Sequence, residues 1–174
     1  DTITMFVTKD DKTRLQIRIE NSERNTKITS RLKLLDIDED LLKIPDIEFD
    51  SVITMPSNEF QKNCRDLSAI ADTLIIESKD NNFTMTAKGD IGEIEIELGE
   101  TQNGLVYSKK SEAGVLIRGE FDLKYLTLFI KSSSLCSQVE IFLKNEYPLI
   151  LLYSVANLGS LRYVLCPLVS DDDL

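Results

Sequence analysis

Histidine is absent from this 174-residue chain and cations are scarce, with 20 Lys and Arg against 30 Asp and Glu and a formal net charge of −10 at pH 7. Without imidazole the chain lacks the commonest general acid–base group near neutrality. The shortage of cations excludes a general coating of nucleic acid, because affinity for phosphate comes from Lys and Arg and this chain on average repels DNA. Any contact with a polyanion has to be local. Cys64, Cys136 and Cys166 are odd in number and far apart, which argues against a disulfide framework or a Cys-x-x-Cys zinc site and predicts reduced core thiols. The longest apolar run, Leu149–Tyr153, is far too short for a membrane span, and the N-terminus lacks a basic segment followed by an apolar one. The sequence therefore reads as soluble and unsecreted, with no membrane partner. It also has no Gly-rich phosphate loop, no serine elbow and no fixed carboxylate pair, so neither an enzyme nor a cofactor is expected. Asp36, Asp38 and Asp40 open like a calcium loop, but Leu41 stands where glycine is needed and Ile47 where glutamate is needed, so no metal site is expected.

What the sequence does have is alternation. Ile3-Met5-Val7, Leu15-Ile17-Ile19, Ile91-Ile94-Ile96-Leu98, Val115-Ile117, Val139-Ile141-Leu143 and Leu161-Tyr163-Leu165 each predict a half-buried strand. Turn chemistry at Lys9–Lys12, Lys79–Asn82, Lys88–Asp90, Lys144–Glu146 and Asn157–Gly159 separates them. Two segments break this period. Over about Ser57 to Ala71, Phe60, Cys64, Leu67 and Ala71 recur at helical spacing, with Lys62 and Arg65 on another face. Over about Asp122 to Ser132, Leu123, Leu126 and Ile130 form the stripe, joined by Tyr125 and Phe129, while Lys124 and Lys131 project elsewhere. Each helix has a strand before it and three after it, a βαβββ unit seen from Val52 to Leu98 and again from Val115 to Leu165. The expected fold is α+β, with paired inner helices packed on outer antiparallel sheets and one common cationic stripe of Lys62, Arg65, Lys124 and Lys131.

Residues 1–33 supply only about three strands, too few to bury a core alone. Residues 34–50, with acids at Asp36, Asp38, Glu39 and Asp40, apolar Leu42, Ile44, Ile47 and Phe49, and a break at Pro45, read as a connector laid over a surface. Residues 51–174 contain the whole repeat and end in an acidic tail.

In order along the chain stand Leu42-Lys-Ile-Pro45, Met55-Pro-Ser-Asn-Glu-Phe60 and Cys64-Arg-Asp-Leu-Ser68. Gly89-Asp-Ile-Gly92, Leu123-Lys-Tyr-Leu126, Pro148-Leu-Ile-Leu-Leu-Tyr153, Leu158-Gly-Ser-Leu-Arg-Tyr163 and Cys166-Pro167 follow. The series resembles the eukaryotic-type DNA sliding clamp, the proliferating cell nuclear antigen family, over essentially the whole chain. The resemblance implies a DNA-clamp fold in which residues 1–33 are the last strands of an incomplete N-terminal domain. Residues 34–50 would be the interdomain connecting loop and residues 51–174 a complete C-terminal clamp domain. It implies a homotrimeric ring around double-stranded DNA that tethers DNA polymerase, the clamp loader and other replication and repair proteins, in the nucleus or at a cytoplasmic viral replication site. The alternative is a specialised checkpoint or viral clamp-like subunit that acts mainly as an interaction scaffold.

The resemblance also places residues. Lys62, Arg65, Lys124 and Lys131 would face DNA. A partner-peptide pocket would be formed by Leu42, Ile44, Pro45, Phe49, Tyr125, Pro148, Val164, Cys166 and Pro167. Val164 stands where the family usually has an aromatic residue, and Lys43, Ile47 and Asp122 replace small or amide residues, so weak binding of a generic peptide is expected. The subunit interface would pair Lys27, Arg31 and Lys33 with Glu93, Glu95 and Glu97, a pairing that charge alone supports because opposite signs on two strand edges favour that match and repel others. Lys79 lies one residue from a lysine position that is modified in eukaryotic clamps, and Asp80 occupies the matching position.

Overall fold

A computed structural model of the chain describes residues 1–35 and 47–169. Asp1–Asp46 and Ile47–Leu174 form two compact units. In the first, β1 (Thr2–Phe6), β2 (Arg14–Asn21) and β3 (Thr26–Lys33) make an antiparallel sheet with β2 in the centre. Its register places Ile3 opposite Ile19, Ile19 opposite Ile28 and Leu15 opposite Leu32, so one face is apolar. The other face carries Arg14 opposite Lys33, Gln16 opposite Arg31 and Glu20 opposite Lys27.

The second unit follows the predicted element order with one addition. It runs β4 (Ser51–Pro56), α1 (Ser57–Ser68), β5 (Thr73–Lys79), β6 (Asn82–Gly89), β7 (Gly92–Gly99), β8 (Val106–Lys109) and β9 (Leu116–Asp122). It continues with α2 (Leu123–Phe129), a 3-10 helix (Ile130–Leu135), β10 (Gln138–Leu143), β11 (Leu149–Val155) and β12 (Gly159–Leu165). Strand β8 is the addition. α1 begins without a side-chain cap, but Glu59 in its first turn and Arg65 in its last complement the helix dipole. α2 is capped by the Asp122 carboxylate, which accepts the Lys124 backbone N–H at 2.7 Å. The second predicted helix stays α-helical only to Phe129. Three successive serines, weak helix formers, then tighten into the 3-10 turn, and buried Ser132 bonds the Tyr163 hydroxyl at 2.6 Å.

The strands assemble as β12-β11-β10-β4-β8 and β7-β6-β5-β9. The two repeats do not each form a separate sheet. β4, the first strand of the first repeat, pairs with β10 of the second, and β9, the first strand of the second repeat, pairs with β5 of the first. The exchange interlocks the repeats around one core, in which Ile53, Met55, Phe60, Cys64, Leu67, Leu74, Ile76, Phe83, Met85, Leu126, Val139, Ile141 and Tyr153 are wholly buried. Ser51 and Ser78, both buried, hydrogen-bond at 2.9 Å between the two sheets. A Cβ at Gly89 would collide with the Ile70 carbonyl, so glycine lets β6 approach the turn that ends α1. Among the described residues no helix is long and apolar enough to cross a membrane.

The thiols are not alike. Cys64 is buried, as expected, and burial pushes its thiol up to about 12, which leaves it unreactive at neutral pH. Cys136 is only half-buried and Cys166 is exposed, because both lie just outside regular elements, so the expectation of three core thiols is corrected for these two.

Candidate functional site

Three surfaces carry the residues singled out in the sequence. The first is the helix layer. Phe60, Cys64 and Leu67 on α1 and Leu123, Leu126 and Ile130 on the second helical segment turn into the core, which leaves Lys62, Arg65, Lys124 and Lys131 exposed. None of the four takes part in an ion pair among the described residues. The carboxylates on these helical segments are Glu59 and Asp66, so four cations face two anions in a chain of net charge −10. The layer is also not purely polar. Leu128, 50 % exposed, lies four residues after Lys124 and three before Lys131, and so shares their helical face.

The second surface is a pair of strand edges. β7 ends its sheet, and its alternation turns Ile94, Ile96 and Leu98 to the core and leaves Glu93, Glu95 and Glu97 exposed. Lys88 pairs with Glu93 at 3.0 Å, and the Asn82 amide donates to Glu97 at 2.6 Å. Both contacts are exposed and weak, leaving the acidic row available to a stronger partner. In the first unit β3 is likewise an edge. Lys27, Arg31 and Lys33 are exposed on one of its faces, with Lys27 paired to Glu20 at 3.1 Å. Arg14 and Lys33 are directly opposed like charges, which weaken a sheet, and Asp11, 3.5 Å from Arg14, relieves part of that repulsion.

The third surface is the side of the five-stranded sheet that faces away from the helices. Cross-strand register aligns Val52, Phe142, Ile150 and Val164 in one row over β4, β10, β11 and β12. Phe49 caps the row, its ring 5.4 Å from that of Phe142 in edge-on geometry. Ile150 is 6 % exposed and Val164 37 % exposed, so the row has a floor and an open end. Half-buried Pro148 precedes β11, and exposed Cys166 and half-buried Pro167 follow β12.

Tyr125 does not join them. It is 48 % exposed on α2, in the helix layer, across the sheet from Val164, so its place in the expected pocket is corrected. The cause is α2's helical period, which turns its neighbours Leu123 and Leu126 into the core. Leu42, Ile44 and Pro45 lie outside the described residues. Val52, Phe142 and Ile150 are the members of the row that sequence reasoning missed. Their signal was available: once Val139, Ile141 and Leu143 mark the core face of β10, Phe142 is an aromatic residue on the face that should be polar. Asp80, beside Lys79, adopts a positive φ of 54° and its carboxylate accepts the Gly114 N–H at 2.9 Å, so it closes a turn.

The family model described as "Proliferating cell nuclear antigen, C-terminal domain" matches residues 43–168. A protein of Paramecium bursaria Chlorella virus 1 named "Probable DNA polymerase sliding clamp 1" is 37% identical over 174 residues, covering 98% of this chain and 65% of the relative. The "Proliferating cell nuclear antigen" of Chaetomium thermophilum is 37% identical over 164 residues, covering 91% of this chain and 62% of the relative. The chain thus spans a little under two thirds of the length of these relatives.

Proposed function

The chain belongs to the proliferating cell nuclear antigen family, and on that premise we propose that it is part of a non-enzymatic sliding clamp, a processivity factor that encircles duplex DNA and tethers DNA polymerase. The observation that carries this reading is the cationic helix layer on an otherwise acidic molecule. Lys62, Arg65, Lys124 and Lys131 offer phosphate contacts without base readout, which suits movement along any sequence. Acidic surfaces elsewhere disfavour adhesion of DNA outside the channel. Residues 1–33 are then the last strands of an N-terminal clamp domain, 34–50 the connector and 51–174 the C-terminal clamp domain.

Two further roles follow. The edges β3 and β7 pair between copies, Lys27, Arg31 and Lys33 against Glu93, Glu95 and Glu97, and close a homotrimeric ring. The row Val52–Phe142–Ile150–Val164, with Phe49, takes the aromatic anchors of partner peptides from polymerase, clamp loader and repair proteins, with Pro148, Cys166 and Pro167 at its margin. A polymerase tethered to a topologically trapped ring stays at high effective concentration at the primer end. The site of action is the nucleus or a viral replication site.

Topology supplies the test. Subunits loaded onto a circular duplex should remain bound at high salt until the circle is cut, and then slide off. Equal loss from circular and linear DNA would overturn the clamp reading. Peptide capture that persists without such retention would favour the interaction-scaffold alternative.

A further inference from the structure

The β10–β11 turn does more than reverse the chain. The Lys144 ammonium donates to the Glu48 carbonyl at 3.1 Å, sits 3.9 Å from an Asp50 carboxylate oxygen and lies 5.8 Å from the centre of the Tyr147 ring. The Asp50 N–H donates to the Leu143 carbonyl at 3.1 Å. On the other side, the Glu48 carboxylate reaches Lys109 at 3.7 Å. Phe49 is therefore held at both flanks while its ring rests on Phe142.

We propose that Lys144 is a positioning residue for peptide capture: it latches Glu48–Asp50 to the turn and so fixes Phe49 as a preformed aromatic wall of the apolar row. This rests on the peptide-docking reading of that face. The Asp50–Leu143 bond alone pins the backbone after Phe49 and leaves the backbone before it free. Lys144 supplies the missing constraint through a carbonyl acceptor, a carboxylate and an aromatic face, a set that suits a flexible point charge. The side chain is 30 % exposed and its ion pair is long, so the latch adds little to global stability. Its effect falls on binding, because a wall ordered in advance spares the peptide the entropy of ordering it. With Val164 too small to form an aromatic wall, the row depends on Phe49 and Phe142, and of the two Phe49 is the one outside a strand.

The experiment titrates a labelled peptide of pattern Gln-x-x-aliphatic-x-x-aromatic-aromatic against the wild-type chain, Lys144→Met, Lys144→Arg and Phe142→Ala. Lys144→Met keeps the apolar stem and loses the charge, and should bind about tenfold more weakly at an unchanged thermal midpoint. Exchange at the Asp50 amide should quicken in the same variant. Lys144→Arg restores donor and charge and should stay within about twofold of wild type. Because the latch is electrostatic, raising salt should weaken the wild type more than Lys144→Met. Equal affinities for wild type and Lys144→Met overturn the latch, as does failure of Lys144→Arg to rescue. If Phe142→Ala also leaves affinity unchanged, peptides do not dock on this face and the underlying reading falls with the latch. If Phe142→Ala alone weakens binding, the docking surface stands and only the latch is lost.

Discussion

The two halves of the internal repeat share an inward chemistry and differ in what their sheets turn outward. α1 and the α2 segment both bury an apolar stripe and expose two cations, Lys62 and Arg65 in one and Lys124 and Lys131 in the other. The sheet built mainly from the first repeat turns Glu93, Glu95, Glu97 and Glu77 away from the core, with Arg118 paired to Glu77 at 3.2 Å. The sheet built mainly from the second turns Phe142, Ile150 and Val164 away. Within one fold, burial fixes only one face of each strand, so a duplicated unit can keep its core and its helix layer while its free faces diverge. One free face became an acidic edge, the other an apolar row.

The strongest way to break this comparison is to give the acidic face the wrong sign. Replacing Glu93, Glu95 and Glu97 together with Lys should abolish assembly, leaving a mass of one protomer in light scattering, while peptide capture by the other sheet persists. Reversing Lys27, Arg31 and Lys33 to Glu in the same protein should restore part of the assembled mass. An assembled mass unaffected by the first set would show that the edges do not mate by charge.

The shared inward chemistry predicts equivalence. Removing all four cations, Lys62, Arg65, Lys124 and Lys131, should lower the salt slope of DNA binding by up to about 3.6 for each subunit in the ring, at 0.9 per phosphate contact. Lys62→Ala with Arg65→Ala, and Lys124→Ala with Lys131→Ala, should each account for about half of that. Measured slopes concentrated in one pair would mean that the halves contribute unequally despite their common geometry.

Most of the inward architecture was legible, because burial leaves a period in the sequence. Phe60, Cys64 and Leu67 gave α1, though Ala71 lies beyond its end, and alternation gave β1, β2, β7, β9, β10 and β12. The strand exchange was not legible. β4 and β9 have the same alternation whichever sheet they join, and partner choice is settled by three-dimensional closure of the core. β8 escaped notice because Val106–Lys109 is short and sits among turn residues. Of the apolar row, Val164 was found through resemblance. Val52, Phe142 and Ile150 were assigned to no surface, because the side of a sheet that a residue faces follows only once the core face is known.

On the apolar sheet, Phe142→Ala should remove the partner of the Phe49 ring together with the middle of the row. The ring is half-buried, so the loss should be smaller than for a core phenylalanine, about 2 kcal/mol in denaturant unfolding. Val164→Tyr tests the same face in the other direction. An aromatic residue at the open end should tighten peptide binding, and unchanged affinity would place the peptide away from β12.

The smallest expected effect concerns the seam between the two halves, where Asn145 acts as a substitute strand. Its carboxamide oxygen accepts the Arg118 N–H at 2.8 Å and its amide nitrogen donates to the Leu116 carbonyl at 2.9 Å. Further along β9, the Leu168 N–H donates to the Glu120 carbonyl at 2.7 Å. The Asn145 side chain and the Leu168 backbone thus cover the free edge of the other sheet, where an uncovered strand would invite pairing with another chain. These bonds are exposed, so Asn145→Ala should cost only about 1 kcal/mol in stability. Its sharper consequence should be a rise in aggregation on prolonged incubation, because two edge groups lose their partners. Asn145→Asp separates the two bonds: the carboxylate still accepts from Arg118 but cannot donate to Leu116, and it sets a negative charge against that carbonyl. The aspartate variant should therefore be less stable than wild type at neutral pH. It should recover as acid protonates the introduced carboxyl, which can then donate. An aspartate variant with wild-type stability across this pH range would show that water satisfies the edge and that the seam needs no substitute strand.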